Sequence, residues 1–178
     1  MKSVAAALMY LRANFYDEKF SKNKKMYIFQ CIAATVVVYL VLTALSVISN
    51  YLVIASIAST SFVIFAGPHS ERARARYVFG GYIIGTLSGI ASYYSLHYFS
   101  DLLPVFAPHL TEVFAALAVG FSLFFMVILD LEHPPASGVA LALVINNWGL
   151  RTLCVTFFAL CILVYARYLL RKRLIQLI

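Results

Sequence analysis

The stretch LEHPPASGVALAL, Leu131–Leu143, decides how the chain is threaded. It follows one apolar run and leads straight into another, yet it holds two adjacent prolines beside a glutamate and a histidine. Proline breaks a helix interior but is accommodated in a first turn, where its missing N–H would have no partner anyway. Pro134 and Pro135 therefore begin a new helix. The residue before a proline is pushed to extended geometry, which places His133 outside that helix. The first free backbone donors then come from Ala136, Ser137 and Gly138. With the Ser137 hydroxyl and the helix dipole they suit an anion or a polarised oxygen; the equal alternative is a loop at the membrane surface with Asp130, Glu132 and His133 solvated. A histidine in such a turn is expected to contribute little packing.

The surroundings of this break are those of a membrane protein. Of 178 residues, 63% are hydrophobic and 12% charged, with a mean hydropathy of +0.89. A soluble domain of this size would need more charge on its surface. The net charge of +7 could suggest nucleic acid. The basic residues instead gather at the ends of apolar runs, where they set orientation, so nucleic acid is not expected as a partner. Cys31, Cys154 and Cys161 lie in apolar runs without metal-ligand spacing, so neither a disulfide framework nor a metal is expected, and no cofactor is implied.

The fold expected is all-α: a polytopic integral membrane helical bundle. Its six hydrophobic segments are Met26–Ser46, Tyr51–Ala66, Tyr77–Phe99, Val113–Leu129, Pro134–Trp148 and Thr152–Leu170. A helix needs about 20 residues to cross the hydrocarbon core. The second segment is short, and the fifth reaches only about 22 Å at 1.5 Å per residue, so it either crosses or is re-entrant. Basic residues favour crossing. With six crossings, Lys2, Arg12, Lys19, Lys22, Lys24, Lys25, Arg72, Arg74, Arg76, Arg167, Arg171, Lys172 and Arg173 all face the cytoplasm, and of 14 basic residues only Arg151 does not. Both termini are then cytoplasmic. The chain divides into a basic N-terminal segment (1–25), a transmembrane domain (26–170) and a basic tail (171–178). Val4, Leu8, Leu11 and Phe15 recur at helical spacing and suggest either an amphipathic surface helix or, alternatively, a plain basic tail; no cleaved signal peptide is read there.

In the third segment, Gly81, Gly85 and Gly89 form a row on one helix face, with Ser88 and Ser92 beside it. Such a row lets another backbone approach closely, and helix packing is its first meaning; a narrow pathway wall is the other. Ser56, Ser59 and Thr60 share a face of the second segment, able to bond neighbouring helices or line a polar path.

A second proline turn lies on the same side, in AGPHSERARARYVFGG, Ala66–Gly81. Like the first, it places a Pro, a His and a Ser near a helix start. The His133-Pro134-Pro135-Ala136 run resembles the signature of the HPP family of integral membrane proteins. Pro68, Ser70, Ala73, Arg76, Gly80 and Gly81 resemble that family's other motif, a Pro-x-Ser turn leading to an Ala-x-x-Arg run and paired glycines. The resemblance extends over about Ile28–Leu170. This chain has Ala136-Ser137-Gly138 where the family often has Ala-Gly-Ala, and Arg74-Ala75-Arg76-Tyr77 where it often has Gln-Pro-Arg-Asn. The resemblance implies a transporter-like protein; some plastid and cyanobacterial relatives are associated with nitrite. The family is usually described with fewer than six spans.

The function expected is a transporter or channel for a small inorganic anion such as nitrite, in a bacterial plasma membrane. Its substrate site would have His133, Pro134, Pro135 and Ser137 as one wall and Pro68, His69, Ser70 and Arg76 as the other. Arg72 and Arg76, four apart, would share a helix face. Asp130 and Glu132 oppose an anion there, or make a proton-coupled site with His133. Partners are membrane lipid, the anionic solute and, as an open alternative, further copies of the chain. A structural or assembly subunit is the second reading. A membrane enzyme is the third; the spacing of Asp130, Glu132 and His133 is too loose to favour acid–base or metal chemistry.

Overall fold

A computed structural model of the chain describes residues 18–45 and 51–177. The amphipathic pattern of Val4, Leu8, Leu11 and Phe15 lies outside the described residues, as does Ser46. Six α-helices run in order: α1 (Glu18–Leu45), α2 (Tyr51–Ala66), α3 (Ala75–Leu102), α4 (Ala107–Ile128), α5 (Ser137–Ile145) and α6 (Leu150–Leu170). Two 3₁₀ turns, Glu71–Ala73 and Pro134–Ala136, precede α3 and α5, and there is no strand among the described residues.

Helices α1, α3, α4 and α6 start before their apolar segments because polar residues do not end a helix, while α2 coincides with its segment. Hydropathy marks the lipid-facing length, whereas Pro, Gly or loss of packing sets the ends. Thus α1 runs back through Lys22, Lys24 and Lys25 to Glu18, with a kink at Asn23 (φ −128°, ψ 31°). The fifth segment is the exception in the other direction. It was expected to be helical to Trp148, but α5 stops at Ile145, where Asn146 turns extended (φ −112°, ψ 149°). Three helical stretches are long and apolar enough to cross a membrane: Lys22–Thr43, His109–Ile128 and Leu150–Leu170. Two apolar helices, Tyr51–Ala66 and Pro134–Ile145, are shorter.

Helices α3, α4 and α5 pack on one another, α1, α2 and α6 form a second group, and α2 against α5 joins the two. The shortest helix is therefore central. Val139, Ala140, Ala142 and Leu143 of α5 are buried. The glycine row of α3 is what admits it. A Cβ built at Gly89 would stand 2.9 Å from the Ala140 carbonyl oxygen, one at Gly81 2.6 Å from the His133 Cβ, and one at Gly85 would overlap the Ala136 carbonyl oxygen. The row is a packing surface, as the spacing suggested: α5 and its 3₁₀ turn lie directly on the α3 backbone.

Large apolar side chains cover the outside. Ile32, Leu87, Phe121, Phe124, Leu150 and Phe158 are all exposed on helix faces. Exposure on that scale suits a lipid environment and not water.

Candidate functional site

Both proline turns lie at one end of the bundle and touch. The turn before α5 is set up by how α4 ends. The Leu131 N–H donates to the Met126 carbonyl (2.9 Å) and the Asp130 N–H to that of Val127 (3.3 Å), with Asp130 at φ 52°. This is a Schellman ending, whose left-handed residue is usually glycine. Here the position keeps a carboxylate, which accepts from the Tyr77 hydroxyl (3.3 Å) and pairs with Arg76 (3.5 Å).

His133 is fully buried and holds the turns together. Its Nδ1 lies 3.1 Å from the Arg72 carbonyl oxygen, which can only accept, so Nδ1 carries the proton. In the neutral ring Nε2 then accepts from the Thr60 hydroxyl at 3.0 Å. Thr60 is 2.8 Å from the Tyr82 hydroxyl, which also lies 3.0 Å from Ser56 Oγ, and Ser56 donates to the Pro135 carbonyl. Burial pushes the His133 imidazole down from 6.5 to about 4, against the opposing pull of the Arg72 carbonyl. The expectation that this histidine adds little packing is wrong: the Arg72 backbone carbonyl and the Thr60 hydroxyl of α2 make it a joint between α2, the Arg72 turn and α5. The hydroxyl face of α2 contributes Ser56 and Thr60 to this network, while Ser59 bonds back to Ala55 on the exposed side.

Beside His133 is a half-open cavity of about 400 Å³, lined by Arg72, Glu132, His133, Pro134 and Ser137 and walled by Val119, Leu123, Met126 and Val127 of α4. Arg72 reaches across to Glu132 at 3.2 Å. The structure thus brings His133, Pro134 and Ser137 into one lining. Pro135 is absent from that lining; its carbonyl faces Ser56.

The expected facing wall is placed elsewhere. The Pro68 carbonyl accepts from Arg167 Nε (3.0 Å) and Nη2 (2.6 Å). His69 Nε2 donates to the Leu174 carbonyl (3.0 Å), and Ser70 donates to Gly67 (2.7 Å). Arg76 is exposed, pairing with Asp130. These four residues tie the first turn to α6, the C-terminal segment and the α4 end, and Arg72 supplies the cavity's cation in their place. The physical reason is the 3₁₀ turn Glu71–Ala73, which aims the Arg72 carbonyl at His133 and its side chain at Glu132. Arg72 and Arg76 do not share the helix face that their spacing suggested: Arg72 lies in the 3₁₀ turn, Arg76 in α3, and the extended Arg74 (φ −70°, ψ 148°) separates the two elements. The helix-start donors also differ from expectation. The Ala136 N–H donates to the His133 carbonyl (2.9 Å) and the Ser137 N–H to those of Pro134 and Pro135. The Ser137 hydroxyl donates to Pro134 as well (2.7 Å).

Residues that were not singled out from the sequence complete this end. Gln30, buried in α1, donates to the Phe65 and Ile175 carbonyls and accepts from the Ile175 N–H. With the Leu177 N–H donating to Ala66 (2.9 Å), this fixes the C-terminal tail under the bundle. A lone Gln in an apolar run was the available signal. No group of three His, Cys, Asp or Glu able to hold a metal occurs among the described residues.

Comparison with known proteins agrees with this architecture. No curated protein and no solved structure gives a match. A family profile described as "HPP, transmembrane region" matches residues 19–175. That span takes in nearly all of α1, the other five helices, both proline turns and the tail as far as Ile175, and the chain belongs to the HPP family of membrane proteins.

Proposed function

We propose that the chain is a transporter or channel for a small inorganic anion, with nitrite the first candidate, and that the solute uses the cavity between the two turns. The observation that carries this reading is the pairing of Arg72 with a half-open cavity of about 400 Å³ at the base of a short central helix. Arg72 is the attracting charge, and His133 holds its backbone in place. Pro134 and Ser137 line the opposite side. Irregular backbone at membrane depth is tolerated where it borders a cavity, and short helices are a common way for transporters to build sites.

Six crossings with both termini cytoplasmic accord with this site. The α6 end bonds to Pro68 and the α5 start to Arg72, so both sit at the same end. The 21 residues of α6 rise about 31 Å, a bilayer core away from that end. The 3₁₀ turn and α5 together rise about 20 Å, and the four residues Asn146–Gly149 that follow add the further length a crossing by the fifth segment needs. Lys22, Lys24, Lys25, Arg72, Arg74, Arg76 and Arg167–Arg173 then share the cytoplasmic side of a bacterial plasma membrane.

A structural subunit is the second reading, favoured by the glycine row being filled by α5. An enzyme is not proposed, because His133 has both ring nitrogens bonded within the protein. Purified protein in liposomes, screened for uptake of nitrite, nitrate, formate and chloride, tests the reading. Uptake above protein-free vesicles for at least one anion is expected; none for any of them would leave the structural reading.

A further inference from the structure

The Arg72–Glu132 pair occupies the cavity that the anion would use. Arg72 Nη2 stands 3.2 Å from Glu132 Oε2, with the side chains 58% and 44% exposed. An ion pair so exposed is held weakly and can exchange partners. The other charges around it are engaged: Arg76 with Asp130, which also faces Tyr77, and Arg74 with Glu71. On the same turn, His133 is bonded to the Arg72 carbonyl and to Thr60. Helix α4 offers only apolar side chains, and α5 only the Ser137 hydroxyl, which donates to Pro134. Arg72 is thus the cavity's cation and Glu132 its resident counter-charge.

An arriving anion must take Arg72 from Glu132. If Glu132 stayed ionised, two negative charges would share one guanidinium beside an apolar wall. Loss of its cation and arrival of a like charge both raise the carboxylate's affinity for a proton. We propose that a small anion binds Arg72 together with one proton on Glu132, exchanging an internal ion pair for a bound anion and a neutral acid. This rests on the anion-transport reading above. The charges balance. Arg72 stays cationic throughout, the anion adds one negative charge, and the proton, drawn from water on the same side, adds one positive charge to a Glu132 carboxyl oxygen. Binding of each ligand strengthens the other by the same factor.

Proteoliposomes carrying an internal pH dye test this with nitrate, a strong-acid anion that does not cross passively as its conjugate acid. Wild type is expected to acidify the lumen as nitrate enters, with one proton per anion, and uptake at subsaturating nitrate should rise by up to about tenfold per unit drop in external pH. In Glu132→Gln, a neutral stand-in for the protonated acid, uptake should persist, lose its pH slope and respond to a potassium–valinomycin potential. A variant that keeps the wild-type slope and lumen acidification overturns the proposal and leaves anion transport standing. So does a variant that melts like wild type yet takes up nothing. Wild-type nitrate entry without proton entry overturns it independently of any variant. If wild type moves no anion at all, the transport reading falls first and this proposal with it.

Discussion

Gly85→Ala is the smallest change that tests how the bundle is assembled. The added Cβ would overlap the Ala136 carbonyl oxygen and lie 3.2 Å from its carbon. Both are backbone atoms, so no side chain can rotate away. The helices cannot slide locally either, because Gly81 and Gly89 on the same face are clamped, the latter with Ala140 Cα at 3.0 Å from its own Cβ position. The α3–α5 distance must grow, and overpacking of this kind costs about 1–3 kcal/mol, from which the better helix propensity of alanine recovers up to about 1 kcal/mol. With the full recovery the net loss is about 0–2 kcal/mol, which lowers Tm by up to roughly 8 °C in a chain of this size. Gly120→Ala is the control: nothing lies within 4 Å of its Cβ position on the exposed face of α4, so only the propensity gain of up to about 1 kcal/mol applies. Thermal unfolding of both variants in detergent, followed by size-exclusion recovery, reads the difference. A Gly85→Ala variant that melts with or above Gly120→Ala would refute the close approach of α5 to α3.

Further outcomes follow from other parts of the same end. His133 has a folded value of about 4 against 6.5 when unfolded, so the unfolded state takes up the proton first; stability is fully present above pH 6.5 and declines as pH falls toward 4, by about 3 kcal/mol in all. Melting curves from pH 7.5 to 4.5 should show this decline in wild type and a flatter profile in His133→Gln; parallel profiles would remove His133 as the cause. Gln30→Leu should free the C-terminal tail, seen as faster carboxypeptidase trimming of residues 174–177 at little change in Tm; unchanged trimming would mean that Leu177 and His69 hold the tail unaided. Reporter fusions at both termini should be active on the cytoplasmic side only, and an external C-terminus would mean that the fifth segment turns back.

What could be read in the sequence was local, and what could not was pairing. The glycine period of α3 announced a close approach, and the adjacent prolines announced a new helix with His133 outside it. Both depend on backbone geometry within a few residues. The partner of the glycine row, the short α5, depends on tertiary packing. Likewise, the four-residue spacing of Arg72 and Arg76 suggested one helix face, yet the 3₁₀ turn at Glu71–Ala73 separates them and brings Arg72 alone to the cavity. The donors expected at Ala136 and Ser137 are taken by the His133 and Pro134 carbonyls because the chain enters α5 through a 3₁₀ turn. Asp130 stands where a Schellman ending favours glycine, so the residue type concealed the motif. Gln30 meets a tail 145 residues away, a contact that no periodicity encodes.

Passage of a small anion through the Arg72 cavity is tested by anion flux through Arg72→Gln in liposomes beside wild type. Arg72 is exposed and its backbone carbonyl, which His133 needs, survives the substitution, so Tm should stay within a few degrees. Removing a charged hydrogen-bond donor to the anion weakens binding by about 1.5–3 kcal/mol, or about tenfold to a hundredfold. Saturable nitrite or nitrate uptake is expected in wild type, with a loss of that order in Arg72→Gln at nearly unchanged Tm. Wild-type uptake from Arg72→Gln would contradict it and place the pathway elsewhere in the bundle.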